Sequence, residues 1–423
     1  MSYFSLLFFV YCPALLLARP LQIELKAPSV ILMNQETGAI LYEKNSHEKR
    51  FPASITKVAT ALYVLEKKKN HLEDLFTCSK DALFVISEEE KKGGVKHPPY
   101  RLEISGSRVG LRAEEKLSCE TLLYGLLLAS GNDAANVLAE NVSGSVMQFM
   151  KELNHFLKRH GICHTQFLNP HGLHHKEHFT TAYDMAKIAQ LAYASPDFQN
   201  IVKSVKYLKS QEIGKEPIYF WQTNKLLRQG LYYYPKATGM KTGYTSQAGY
   251  TLVASAAHGE RVLIAVLLGC EESKERFQEA KKLFEKAFSE KKITRKLFVK
   301  ETDHFSYAVK GGKTLKASLQ RDVSLSYYPA EEPSFQAEVV WEKLSLPIKA
   351  GDRVGFLRCI DEKGHVFAKE PLFAKESLSK GIDQIIKDLY LRHKYSVIFL
   401  MLMTVLTSMV MYFGKKSQKV SKR

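Results

Sequence analysis

The 423-residue chain contains no internal repeat and no low-complexity stretch, which excludes a solenoid and a long disordered tract. Cysteine is scarce: Cys12, Cys78, Cys119, Cys163, Cys270 and Cys359 show no paired spacing. Cys12 falls in the N-terminal leader, and the odd number that remains reads as buried free thiols, with one bridge left open. Negative charge is in deficit, 44 Asp+Glu against 61 Lys+Arg, for a net +17. The surplus is spread along the chain without a recognised nucleic-acid-binding motif. Nucleic acid is therefore excluded in favour of an anionic lipid surface or polymer. Histidines gather once, at His171, His174, His175 and His178, with no cysteine and only Glu177 beside them. They read as a solvated loop; no metal and no cofactor are expected.

The two ends of the chain bear on the compartment. Tyr3 to Ala18 is apolar, too short for a comfortable span, and followed by Arg19-Pro20. Residues 1–18 read as a secretory signal peptide, although the basic start is missing and Leu16 suits cleavage after Ala18 poorly, so an uncleaved anchor stays open. Tyr395 to Phe413 carries no formal charge and matches the ~20 residues of a transmembrane helix. Lys415, Lys416, Lys419, Lys422 and Arg423 make 414–423 a cytoplasmic tail. Before the span, residues 381–394 carry an apolar stripe of Ile382, Ile385, Ile386, Leu389 and Tyr390, suited to the interface. The expectation is a single-pass protein of the inner (cytoplasmic) membrane with its bulk facing the periplasm or cell exterior.

Three short strings occur in order: Ser54-Ile55-Thr56-Lys57, Ser130-Gly131-Asn132 and Lys241-Thr242-Gly243. Ser-x-x-Lys also occurs at Ser46/Lys49, Ser289/Lys292 and Ser377/Lys380, as plain surface pairs. Ser54 differs in its frame. Pro52 suits the first turn of a helix, and Val58 to Leu65 continues as a buried apolar helix. Ser54 and Lys57, at i and i+3, share one face. Leu122 to Ala129 reads as a second buried helix and Asp133 to Val142 as a third, with Ser130-Gly131-Asn132 on the loop between. Two hairpins, Ser29–Met33 with Ala39–Tyr42 and Tyr250–Ser255 with Val262–Leu268, flank the helices.

Together the three strings resemble those of the low-molecular-weight penicillin-binding proteins, the serine-type D-alanyl-D-alanine carboxypeptidases. The resemblance extends through Asn169-Pro170-His171-Gly172-Leu173, Thr223-Asn224-Lys225-Leu226-Leu227 and Ala248-Gly249-Tyr250. It reaches Pro347 to Gly355 in a second domain. It implies an α/β (α+β) fold: a β-lactamase/transpeptidase-like catalytic domain at 21–288 with a mixed sheet and helices, then a small all-β domain at 294–378. The segment Leu83 to Ile104, longer and more charged than in relatives, reads as a solvated loop.

The resemblance also implies roles. Ser54 would be the nucleophile and Lys57 its base, usable only if desolvation and the charge of Lys241 depress its pKa. Ser130 would relay the proton to the leaving amine, and Asn132 would hold Lys57 and the substrate amide. Lys241 and Thr242 would meet the substrate's terminal carboxylate. Gly243 would let substrate lie as an added strand, and the amides of Ser54 and Tyr244 would form the oxyanion hole. The implied substrate is the peptidoglycan stem pentapeptide ending in D-Ala-D-Ala, with β-lactam antibiotics as inhibitors. D,D-endopeptidase action on cross-links uses the same site. A β-lactamase is disfavoured because no Glu-x-x-x-Asn lies between Asn132 and Lys241. A non-catalytic scaffold is disfavoured because every motif residue is present.

Overall fold

The computed structural model describes residues 8–10, 19–87, 89–90, 93, 95–210, 218–309, 313–361 and 364–420. Two compact units divide the chain. The larger spans Leu16–Ile293 with Tyr327–Pro333; the smaller holds Thr294–Ser326 and Ser334–Arg423 together with Met1–Leu15. Of the expected signal peptide, Phe8–Val10 is a short strand and the rest lies outside the described residues, as do the last three residues of the expected tail.

The larger unit starts with the hairpin β1 (Ser29–Asn34) and β2 (Ile40–Lys44), followed by α1 (Thr56–Lys67), α2 (Cys119–Leu127), α3 (Asn132–Ser143), α4 (Val146–Arg159), α5 (Ala182–Tyr193) and α6 (Pro196–Lys203). A two-stranded hairpin, β3 (Lys206–Ser210) with β4 (Ile218–Trp221), leads to β5 (Ala237–Thr245), β6 (Gly249–His258), β7 (Arg261–Cys270) and α7 (Glu275–Phe288). The main sheet runs β5-β6-β7-β1-β2. Every pairing in it is antiparallel, which corrects the expectation of a mixed sheet. The physical reason is connectivity: β1–β2, β5–β6 and β6–β7 are joined by tight turns, one using Gly259 at φ +59°, and only antiparallel neighbours can be joined so.

Strand alternation makes the two cores. Ile31, Met33, Ile264 and Val266 face the helices α1 to α6, while Val30, Leu32, Leu263 and Ala265 pack with Phe277, Leu283 and Phe284 of α7. Helix starts are capped by Ser118, Ser145, Thr181 and Ser195, whose side chains accept from amides three residues on. The excursion Tyr327–Pro333 is tied to the larger unit by Glu331, which accepts from buried Arg261 Nε at 2.9 Å and Asn34 Nδ2 at 2.9 Å.

The smaller unit holds β8 (Ile293–Phe298), β9 (His304–Val309), β10 (Lys313–Leu319), β11 (Val323–Tyr327), β12 (Phe335–Trp341), β13 (Arg353–Asp361) and β14 (Val366–Ala374). Its main sheet runs Phe8–Val10, β12, β13, β14, β10, β9, and β8 pairs with β11. Leu315, Ala317, Leu357, Cys359 and Leu372 form its core. The C-terminal helix α8 (Ile382–Val420) exposes Ile382, Ile385, Ile386, Leu389 and Tyr390. It bends by 47° between Ile385–Ser396 and Ile398–Met409. Among the described residues no single helix is long and apolar enough to cross a membrane; this bent pair is so by length and composition only.

Candidate active site

Ser54 lies in a single 3-10 turn, Ala53–Ile55, that runs into α1 and so delivers Lys57 one turn later. The turn is unusual: Ala53 has φ +52°, a left-handed conformation that a residue with a Cβ adopts at a cost of about 1–3 kcal/mol. Two side chains pin it. Thr251 Oγ1 donates to Pro52 O at 2.9 Å and Thr56 Oγ1 to Ala53 O at 2.9 Å.

Two glycines press on the same peptide. A Cβ on Gly172 (φ +91°) would stand 1.9 Å from Ala53 O and 3.0 Å from Ser54 N. A Cβ on Gly243 would stand 2.9 Å from Ser54 N and 2.4 Å from Thr251 Oγ1. The sequence accounts for Gly243 by room for substrate; the structure adds that β5 passes too close to the Ser54 amide for any side chain.

Lys57 is fully buried, and its Nζ donates to Ser54 Oγ at 3.0 Å, Asn132 Oδ1 at 2.7 Å and His171 O at 2.7 Å. An ammonium has three protons, a neutral amine two and a lone pair. Asn132 Oδ1 and His171 O accept in either state. When Lys57 is neutral they take its two protons and aim the lone pair at Ser54 Oγ. Burial pushes the Lys57 pKa well below the ordinary lysine value, Lys241 lowers it further and Asp133 opposes them.

The second string sits where α2 gives way to α3. Ser130 is buried with φ +63°, Gly131 N donates to Gly125 O at 3.0 Å, and Asn132 is the first residue of α3. Asp133, buried, holds the loop in front of it: its carboxylate accepts from the amides of Val109, Gly110 and Leu111.

The third string is on β5, an edge strand among the described residues, whose outer side suits pairing with an extended peptide. Lys241 is fully buried and its pKa falls to about 7, first through burial and then through Arg276. Thr242 Oγ1 donates to Thr223 Oγ1 at 3.0 Å, which ties β5 to the end of the β4 segment. Tyr244 is half-exposed, and its ring stacks on Tyr250 with centroids 4.4 Å apart.

Sequence reasoning missed two groups. Arg276 of α7, buried, donates Nη1 to Gly243 O at 2.7 Å and Thr251 O at 3.0 Å, and stands 5.1 Å from the Tyr250 ring. Within the chain it reads as one more basic residue of an amphipathic helix, and only packing against β5 and β6 distinguishes it. The carbonyl of His171, as an acceptor for Lys57, has no side-chain signature at all.

The histidine loop is not uniformly solvated, which corrects that expectation. His174 and His175 are not buried, but His171 and His178 are enclosed, and burial lowers both pKa values to about 3. They are neutral, hydrogen-bonded frame residues: His171 Nδ1 accepts from Leu173 N, so Nε2 carries the proton toward Tyr100 O at 3.1 Å. Among the described residues no group of three or more His, Cys, Asp or Glu could hold a metal ion. Within Leu83 to Ile104, residues 88, 91, 92 and 94 lie outside the described residues. The ends of that segment are anchored: Val85–Ile86 pairs with Leu102–Glu103, and Tyr100 is buried. Of the cysteines, Cys78, Cys119, Cys270 and Cys359 are buried free thiols and Cys163 is exposed.

Comparison with known proteins gives the family. Residues 17–272 match the family model described as D-alanyl-D-alanine carboxypeptidase, peptidase family S11. The chain is 31% identical over 365 residues to D-alanyl-D-alanine carboxypeptidase DacF of Bacillus subtilis, covering 84% of this chain and 87% of that protein. It is 30% identical over 369 residues to DacD of Escherichia coli, covering 85% and 88%. Among solved structures it resembles penicillin binding protein 6B from Escherichia coli, at TM-score 0.59 and 27% identity, with 83% of this chain and 96% of that one covered. The larger unit thus has the fold of the penicillin-binding proteins, and the chain belongs to the D-alanyl-D-alanine carboxypeptidase family of serine peptidases.

Proposed function

We propose that the chain removes the terminal D-alanine from peptidoglycan stem pentapeptides through an acyl-enzyme on Ser54. The observation that carries this reading is the threefold engagement of buried Lys57 by Ser54 Oγ, Asn132 Oδ1 and His171 O. Neutral Lys57 takes the proton of Ser54 Oγ as that oxygen attacks the penultimate D-Ala carbonyl. The amides of Ser54 and Tyr244 hold the oxyanion. Ser130 passes the proton to the departing D-alanine nitrogen, and Lys241, Thr242 and Arg276 draw the terminal carboxylate onto β5. Water then releases the shortened peptide. A β-lactam, carrying an acyl group and a carboxylate in the same relation, acylates Ser54 and stays.

The test is D-alanine release from a pentapeptide ending in D-Ala-D-Ala by the full chain in detergent, beside Ser54→Ala and a penicillin-treated sample. Release that vanishes in both controls supports the reading. Release that survives Ser54→Ala overturns it. A cross-linked muropeptide in the same assay reports endopeptidase action at the same serine.

We further propose that α8 anchors the protein in the cytoplasmic membrane, with both units facing outward. Its exposed apolar face and the charge-free stretch from Tyr395 to Phe413 support this. Deleting residues 382–423 should move the protein from the membrane pellet to the soluble fraction with its penicillin labelling retained. A deletion variant that still sediments with membranes sinks the anchor.

A further inference from the structure

Ala53 O and Ser54 N–H belong to one trans peptide and point to opposite sides of it. Whatever orients the carbonyl therefore aims the amide. That carbonyl accepts from Thr56 Oγ1 at 2.9 Å, and Thr56 Oγ1 lies 2.9 Å from His178 Nε2. The other ring nitrogen, His178 Nδ1, accepts from Leu168 N at 3.1 Å.

The proton positions follow without ambiguity. Leu168 N–H can only donate, so Nδ1 is bare and Nε2 carries the hydrogen. Nε2–H then donates to Thr56 Oγ1, which leaves the single hydroxyl proton of Thr56 for Ala53 O. The relay runs Leu168 N–H, His178, Thr56, Ala53 O in one direction, and every member is buried or part-buried. His178 is kept neutral by its enclosure, with His171, His174, His175 and Lys57 around it. The relay ends on Ala53, whose φ of +52° lies in the left-handed region.

We propose that His178 is a positioning residue for acyl transfer: in its Nε2–H tautomer it steers the Thr56 hydroxyl onto Ala53 O and thereby holds the Ser54 amide in line for the oxyanion. This rests on the reading of Ser54 as nucleophile. It assigns to the buried half of the histidine loop a task that neither solvation nor metal binding would give it.

Two pairs of variants test it. Thr56→Val removes the hydroxyl, while Thr56→Ser keeps it. His178→Asn keeps an acceptor for Leu168 N but falls short of Thr56; His178→Gln reaches Thr56 with an amide donor. Acylation by a β-lactam is measured per titrated active site, with the labelled residue located by mass spectrometry. The penicilloyl ester carbonyl stretch is recorded by infrared spectroscopy.

Thr56→Val should slow acylation about 10- to 100-fold, less than the ~10²–10³ that removal of an oxyanion donor costs. His178→Asn should slow it about 2- to 10-fold, the worth of one neutral hydrogen bond. Both should move the ester stretch to higher wavenumber, and Thr56→Ser and His178→Gln should restore rate and stretch. The double variant Thr56→Val/His178→Asn should be no slower than Thr56→Val alone, because one relay is broken once. Equal rates and unshifted stretches in all variants, with the label on Ser54, overturn the positioning role and leave the nucleophile standing. A label elsewhere than Ser54 overturns the nucleophile itself. Should Thr56→Val lose its cooperative melting, the Asn and Gln variants at 178 decide alone, since a purely structural histidine predicts no difference between them in rate per site.

Discussion

Arg276 Nη1 donates to Gly243 O at 2.7 Å, so a helix that follows the sheet holds the strand that carries the third motif. The same guanidinium lowers the pKa of Lys241, which places its charge within electrostatic reach of the lysine. Arg276→Met should lower kcat/KM for D-Ala release about 10- to 100-fold, since two buried carbonyls lose a charged donor. It should also move the alkaline limb of the pH profile upward, because Lys241 then sheds one of the two causes that depress it. A profile that falls at the same pH as in the parent would remove Arg276 from the electrostatics of the site.

The two buried lysines set opposite demands. The proposed mechanism needs Lys57 neutral and Lys241 charged. The rate of β-lactam acylation should therefore rise with pH as Lys57 deprotonates, then fall as Lys241, held at about 7, loses its proton. The limbs report the coupled pair rather than either lysine alone. Lys57→Ala should nearly abolish acylation, and Lys241→Ala should cost ~100-fold or more and erase the alkaline limb. A rate that climbs without a maximum through the alkaline range would show that the charge of Lys241 is not needed.

Gly172 and Gly243 should respond differently to alanine. At Gly172 the new Cβ meets the Ala53 backbone at 1.9 Å and the residue sits at φ +91°. The fold around the 3-10 turn must give way, at a cost of several kcal/mol in unfolding free energy, of order 3 or more. At Gly243, which has no positive φ to strain it, the first obstacle is Thr251 Oγ1 at 2.4 Å, the hydroxyl that pins Pro52 O. Gly243→Ala should therefore lose less stability than Gly172→Ala and still lose acylation, because the Ser54 amide is 2.9 Å away. Chemical denaturation beside penicillin labelling separates the two; equal stability losses would refute the distinction.

Acid should unfold the larger unit through its enclosed histidines. Burial lowers His171 and His178 to about 3 in the folded state, against about 6.5 for an ordinary imidazole. Between those values the unfolded chain binds more protons, so stability is intact above about pH 6.5 and falls as pH drops toward 3. Each imidazole costs about 1.4 kcal/mol per pH unit in that window. His178→Gln should flatten the acid limb of the unfolding free energy by about one such slope. An unchanged limb would place the acid lability elsewhere.

Local chemistry explains why so much of the site is legible along the chain. Ser54 and Lys57 are joined by one helical turn, so their contact at 3.0 Å follows from spacing alone. The helices that begin at Thr56, Cys119 and Asn132 and the hairpins around β1–β2 and β6–β7 follow from apolar runs and turn residues. The histidine loop was less legible, because exposure is not a local property: His174 and His178 are four residues apart, and only the second is enclosed. Sheet direction was not local either, since β7 meets β1 across more than two hundred residues of chain.

Residue type and spacing alone established the pairing of Ser54 with Lys57, the order of the three strings, the turn residues and the family to which they belong. These depend on contacts within a few residues, where backbone geometry leaves few alternatives. The tertiary fold decided which groups surround that pair: Asn132 and His171 O as the acceptors of Lys57, Arg276 behind β5, and the relay from Leu168 to Ala53. It also decided that Lys57 and Lys241 lie in an enclosed site where water no longer screens them. The depressed pKa values arise there, from burial and from a neighbouring charge, Lys241 beside Lys57 and Arg276 beside Lys241, and neither cause exists until the chain has folded.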